Sequence, residues 1–348
     1  MPELPRIPSV TLGRTGLVTS KLSLGTYGWG GLGPPEVRVE GDDTILELLR
    51  AAFRAGIRFI NTAEAYANES ILGRLLPEAD PPADLLIATT FGHGKGFTAD
   101  QFRASAERSL RELRLEKLPL MFVHDPRTAD DMRFIMGPGG ALEGLRKLQS
   151  EGLLEFIGVA TGTLAPLQIA VESDEFDVIQ FPRLYTLLNQ SARSSGLLAA
   201  ARARKIGTLS ASPFGGAILG TGTRVGEPLY TFAPALPEVV AAVERMERRC
   251  AELGVSIATA ALAYNYTESL VDVTVPGMVS VREIVEDVSA FGCSLSREEL
   301  ESIAAAGRID PLLLGGPEFA SSWPPDRRPT REQLQARWTA PAPRVAAG

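Results

Sequence analysis

His93 and His124 are the two histidines of a 348-residue chain, and each falls at or just beyond the end of a short apolar run. Histidine titrates near physiological pH and serves as a general acid or base with little tuning. Near them in the sequence stand Tyr66, a proton donor of ordinary pKa about 10, and Lys95, a cation able to lower the pKa of a neighbour. Asn61 and Thr90 add neutral hydrogen-bonding groups. If the apolar runs are adjacent strands, Tyr66, Thr90, His93, Lys95 and His124 converge on one pocket. A lone histidine at a strand end is more often a hydrogen-bonded structural residue, and two on adjacent strands bring a site level with that plainer role. Cys250 and Cys293 lie far apart without a CxxC or metal-ligand pattern, so neither a disulfide framework nor a metal site is expected. The reducing cytoplasm is the expected compartment.

The elements that must position these groups are legible as an alternation. Residues 23–26, 57–61, 85–89, 118–124, 154–160, 176–181, 206–210 and 271–275 form short apolar runs. They lack period-two alternation, as strands covered on both faces do. Residues 43–55, 100–113, 141–151, 167–173, 191–204, 237–253 and 281–290 carry helical spacing. Eight strands alternating with helices predict an α/β fold, a parallel sheet closed into a (β/α)8 TIM barrel. Such a barrel carries its function at the C-terminal ends of its strands. Residues 10–19 predict a β-hairpin, turning at 14–16, that plugs the barrel floor.

The 348 residues read as one domain, with a Pro-, Gly-, Arg- and Ala-rich tail over 310–348 that is irregular or partly disordered. A net charge of −7 and a pI near 5.2 argue against a nucleic acid or an anionic membrane as partner. The longest uncharged apolar runs, such as 255–264, are too short to span a bilayer, and the N-terminus lacks the layout of a secretory signal. A small molecule is the expected partner.

Particular motifs give the barrel a family likeness. They are Leu12-Gly-Arg-Thr-Gly-Leu17, Leu22-Ser-Leu-Gly-Thr26, Ala55-Gly-Ile-Arg-Phe-Ile-Asn-Thr-Ala-Glu-Ala-Tyr66, Val123-His-Asp-Pro126, Ile157-Gly-Val159, Gln180, Ser212-Pro-Phe-Gly-Gly216 and Val275-Pro-Gly277. In this order and at these distances, over roughly residues 9–305, the chain resembles the aldo-keto reductases, and most nearly their sugar and pyridoxal dehydrogenase branch. The resemblance implies carbonyl reduction with NADPH through an Asp, Tyr, Lys and His set. Tyr66 and His124 match, whereas Asn61 stands for the aspartate and Thr90 for the lysine. Replacing both members of a buried ion pair leaves a neutral Asn/Thr pair rather than a stranded charge.

The cofactor positions implied by the likeness are Gly25, Thr26, Gln180, Ser212, Phe214, Gly216, Ser280, Arg282 and Glu286, with Ser280 and Arg282 as anion contacts. Ala160-Thr161 replace the Ser-Asn of the nicotinamide clamp, Ala211 replaces the stacking aromatic, and Glu283 and Asp287 replace an adenine-facing Gln and Asn. NADP(H) is the implied cofactor, with its contacts eroded, and no metal is expected. Tyr27 and Trp29, after the first strand, are expected to wall the pocket. An insertion around Phe181-Pro-Arg-Leu-Tyr185 points Arg183 or Tyr185 at an acidic substrate, with a surface arginine as the plainer reading. Gly92-His-Gly-Lys-Gly96 reads as a loop at the pocket rim, and Glu64 as a residue facing neighbouring loops.

The leading expectation is a family enzyme using Tyr66 and His124 on a small carbonyl or hydroxyl substrate. Its chemistry is read as non-standard: dehydration, isomerisation or cyclisation, with hydride transfer lost or altered. An ordinary NADP(H)-dependent oxidoreductase is the alternative. A non-catalytic ligand-binding or regulatory barrel is a third.

Overall fold

The structure, a computed structural model, describes residues 3–31, 37–92 and 94–314. Eight parallel strands run β1 (Leu24–Gly25), β2 (Phe59–Asn61), β3 (Leu86–Phe91), β4 (Leu118–His124), β5 (Leu154–Ala160), β6 (Val178–Gln180), β7 (Gly207–Ala211) and β8 (Val273–Val275). They hydrogen-bond in chain order. Parallel bridges between Leu22 and Thr274 and between Gly25 and Gly277 join β8 back to β1 and close the barrel. The seam is tight there: a Cβ on Gly25 would lie 2.5 Å from the Pro276 carbonyl oxygen, so only glycine fits.

Side chains alternate in and out along each strand. Phe59, Leu86, Ala88, Leu120, Phe122, Val178, Leu209 and Val273 therefore meet inside the barrel as an apolar layer. Two residues further along, the same inward face presents Asn61, Thr90, His124, Gln180, Ala211 and Val275. The packed layer is the floor of the site, and these residues are its bottom course.

The other end is sealed by the hairpin, Ser9–Thr11 paired antiparallel with Val18–Ser20. Its turn holds Gly16 in the left-handed region at φ +73°, and its Leu12, fully buried, inserts into the interior layer as the plug. Outside the barrel, helices such as Ala99–Leu113 and Pro237–Glu252 bury one apolar face and keep their charged face in water.

The sequence misses five helices of the described residues, Glu69–Leu75, Ala129–Met136, Ile218–Thr221, Ile257–Tyr266 and Arg297–Ala306. Ile257–Tyr266 is buried nearly all round, so it shows no polar stripe and reads as a plain apolar run. The helix expected over 191–204 is two, Ser191–Ser194 and Leu197–Ala203, broken where Gly196 turns left-handed at φ +79°. Of the expected tail, Pro311–Leu314 forms a turn whose Leu314 carbonyl accepts from the Tyr230 hydroxyl; residues 315–348 lie outside the described residues. Among the described residues no helix is long and apolar enough to cross a membrane, and no cluster of metal-ligating side chains occurs.

Candidate active site

A cavity of about 2550 Å³ opens at the C-terminal ends of the strands. Tyr66 and His124 both line it, as do Asn61, Gln180 and Arg183. The local chain explains why Tyr66 points there. It closes a one-turn 3-10 helix, Glu64–Tyr66, and Ala67 then reverses the chain with φ +54°. Glu64 pins that turn to the helix Ala99–Leu113, accepting from Arg108 at 2.6 Å and from Ser105 at 2.6 Å. Below it Asn68 donates to the Thr26 carbonyl at 2.9 Å and accepts from Thr62 at 2.7 Å. The Tyr66 ring meets the edge of Tyr27 at 5.3 Å, and Tyr27 in turn packs on Phe232 at 5.1 Å.

Burial pushes the Tyr66 hydroxyl up to about 12, with the positive charge of Arg183 pulling the other way. That cation comes from the segment just after β6. Arg183 follows β6 in the left-handed region at φ +64°, a conformation a non-glycine residue holds only where its surroundings impose it. Its backbone N–H donates to the Ala211 carbonyl at the top of β7 at 2.9 Å, which fixes it over the pocket.

The Asn/Thr pair inferred from the sequence does not form. Asn61 instead donates across the barrel mouth to Gln180 Oε1 at 2.8 Å, and Thr90, buried, donates to the Thr62 carbonyl at 3.1 Å. Both hydroxyl and amide are short and satisfied locally, so nothing draws them together. Thr161 is likewise turned away, its hydroxyl donating to the Pro126 carbonyl at 2.8 Å. Gly25, Thr26, Ser212, Phe214 and Gly216 line the cavity as expected, and so do Ser280, Arg282 and Glu286 in the arm beyond β8.

Four expected pocket residues lie elsewhere: Thr90, held on the Thr62 carbonyl, does not line the cavity, and neither do Trp29, Tyr185 and Lys95. Trp29 is wholly buried and donates its indole N–H to the Met278 carbonyl at 2.8 Å, tying the loop after β1 to the segment after β8. Tyr185 is also wholly buried, stacked on Tyr264 at 5.1 Å, with its hydroxyl donating to Glu268 at 2.8 Å and accepting from Arg297. The ion-paired cluster under the outer helices claims it, which the sequence signalled nowhere. Lys95 is exposed and does not line the cavity; Gln101 holds its carbonyl at 2.7 Å. Gly92, Gly94 and Gly96 do form part of the rim, while His93 lies outside the described residues.

The structure adds lining residues that the sequence did not offer. Phe232, at φ +62°, comes from a loop without periodicity. Thr223 reaches the cavity on a loop latched by two hydrogen bonds to Glu247, at 2.6 and 3.0 Å. Only long-range folding brings either to the strand tops.

With this geometry in hand, the comparisons are decisive about kinship. A profile of the Aldo/keto reductase family matches residues 21–308. The chain belongs to the aldo/keto reductase family. L-galactose dehydrogenase of Arabidopsis thaliana is 29% identical over 313 residues, spanning 86% of this chain and 91% of its own. Pyridoxal 4-dehydrogenase of Microbacterium luteolum is 26% identical over 339 residues, spanning 86% and 97%. A thermostable aldo-keto reductase crystallised with the inhibitor epalrestat superimposes with a TM-score of 0.67 at 22% identity, over 86% of this chain and 100% of that one. That last likeness speaks to the fold.

In this aldo/keto reductase the neutral mouth makes a stability prediction. Thr90 is 3% exposed, so Thr90→Lys buries a cation with no carboxylate beside it and is expected to destabilise by about 3 kcal/mol or more. Adding Asn61→Asp supplies the partner, and the Gln180 amide can turn its NH2 group toward the new carboxylate. The double variant is expected to be more stable than the sum of the singles. Melting curves of the three variants decide it; additive losses mean the two positions do not interact.

Proposed function

We propose that the protein is a nicotinamide-dependent oxidoreductase that interconverts a hydroxyl and a carbonyl on a small, sugar-sized molecule. The observation that carries this reading is the meeting of Tyr66, His124 and Arg183 on one deep cavity whose long arm runs past Ser212 and Ser280. The family supports an oxidoreductase, and the relatives named above are dehydrogenases by name. This favours hydride transfer over the dehydration, isomerisation or cyclisation expected from the eroded contacts.

The cavity fits a nicotinamide dinucleotide along its length and grips the nicotinamide end loosely. Gln180 Oε1 is taken by Asn61, leaving its NH2 group for a ligand amide, while Thr161 is committed to Pro126 and Ala160 and Ala211 have no side-chain polar atoms. When bound, the cofactor supplies the acceptor or donor of the hydride and its electron pair. The chain supplies the rest. Tyr66 Oη hydrogen-bonds the substrate oxygen, giving it a proton in reduction and taking the hydroxyl proton in oxidation. His124, at the end of β4, orients that oxygen from the neighbouring wall. Arg183 offers positive charge to the oxygen on which negative charge develops.

Each missing neutral hydrogen bond contributes about 0.5–1.5 kcal/mol, so losing two or three weakens nucleotide binding by about one to three decades relative to an intact clamp. Titration with NADH and NADPH, followed by nicotinamide fluorescence, is expected to give dissociation constants in the micromolar range or weaker; sub-micromolar binding of both would show the clamp intact. Activity is tested with L-galactose and pyridoxal as probes, with either oxidised nucleotide, watching reduced nicotinamide appear. Product formation without any change in the nucleotide would replace this reading with a redox-neutral one.

A further inference from the structure

We infer that the cavity arm beyond β8 takes an unphosphorylated adenosine ribose, so that the protein binds NAD(H) in preference to NADP(H). The inference rests on the nicotinamide reading above and adds to it the identity of the nucleotide. A nicotinamide ring held beside Tyr66 sends its second nucleotide along the arm past Gly277 and Val279, toward the start of the nine-residue helix Val281–Ser289. The groups waiting there are carboxyls. Glu283, Glu286 and Asp287 all line the arm.

The one basic residue of that helix, Arg282, is exposed and spends its guanidinium on Glu286 at 2.7 Å. Glu283 is held in place by the Val279 N–H, 2.7 Å from its Oε2. Asp287 is 5% exposed, and its Oδ2 has no hydrogen-bond partner. A buried polar atom without a partner is costly to keep and is normally matched by something. Here burial and the two neighbouring glutamates hold the Asp287 carboxyl well above the usual carboxylate range.

Such a group suits a ligand with hydroxyl or amino donors and no charge of its own. A ribose 2′-hydroxyl bonds acidic side chains of this kind, whereas a 2′-phosphate needs an arginine, and the one on this helix is already paired with Glu286. Four other arginines of the same cavity, Arg127, Arg183, Arg224 and Arg248, come from other elements.

Calorimetric titration of the full chain with NADH and with NADPH tests this without any substrate. NADH is expected to bind at least about tenfold more tightly, a difference near 1.4 kcal/mol. Glu283→Gln with Asp287→Asn replaces both carboxyl groups by amides at constant shape and is expected to narrow the ratio by strengthening NADPH; Glu283→Gln alone, at a partly exposed position, should do so in part. NADPH binding equal to or tighter than NADH overturns the inference while leaving the oxidoreductase reading intact, and a loss of that binding in Arg248→Met with NADH binding unchanged would place the 2′-phosphate on Arg248. Binding of neither nucleotide overturns both.

Discussion

Tyr66→Phe is expected to lower turnover by about two to four decades, the usual worth of a positioned acid or base, and to leave the melting temperature nearly unchanged. The substitution removes one hydroxyl and keeps the ring that packs against Tyr27 at 5.3 Å. The turn that carries it is held by Glu64 and Asn68 and loses nothing. Tyr66 and His124 both line the cavity at the strand tops, so under the proposed reading loss of the first leaves one group for two tasks. Steady-state rates with a turned-over probe, beside a melting curve, give the answer. Full activity in the phenylalanine variant would remove Tyr66 from the chemistry.

The second large effect is in the pH dependence. Burial holds the Tyr66 hydroxyl at about 12 against an ordinary value of 10.0, so at neutral pH it is a proton donor almost entirely. Reduction needs that protonated form and is expected to be insensitive to Tyr66 up to about pH 10. Oxidation needs the phenolate, whose fraction grows about tenfold per pH unit below its pKa, so oxidation should accelerate roughly hundredfold between pH 8 and 10.

The same shift has a cost for the fold. An unfolded tyrosine ionises near 10 while the native one holds its proton to about 12, so the stability contributed by the neutral native form is present below pH 10 and lost progressively across that window. Initial rates after brief exposure to alkali separate the two effects. Arg183→Met should move the rise in oxidation to higher pH, because the positive charge that favours the phenolate is gone. An oxidation rate that is flat above pH 8 assigns the proton to His124 instead.

How much of this was legible in the chain depends on whether the cause is local. The sequence by itself determined the barrel, because eight apolar runs without alternation are the mark of strands covered on both faces, and those strands formed in chain order. It also placed His124 at a strand end that opens on the cavity, while Asn61 and Gln180, which line the same cavity, were marked by the family resemblance. The hairpin plug was also legible, from a turn glycine between two short apolar arms.

Tertiary structure alone decided the partners. Asn61 and Gln180 are 119 residues apart and meet only because the barrel closes. Tyr185 sits two residues from Arg183, yet one is sequestered under Tyr264 and Glu268 while the other lines the cavity with Tyr66. A left-handed turn at Arg183 sends the two side chains apart, and no periodicity announces it. The orphaned carboxyl of Asp287 likewise follows from burial against elements distant in sequence. Strand ends fix where a side chain begins, through backbone geometry that each run carries within itself. What that side chain touches is set by the long-range packing of all eight.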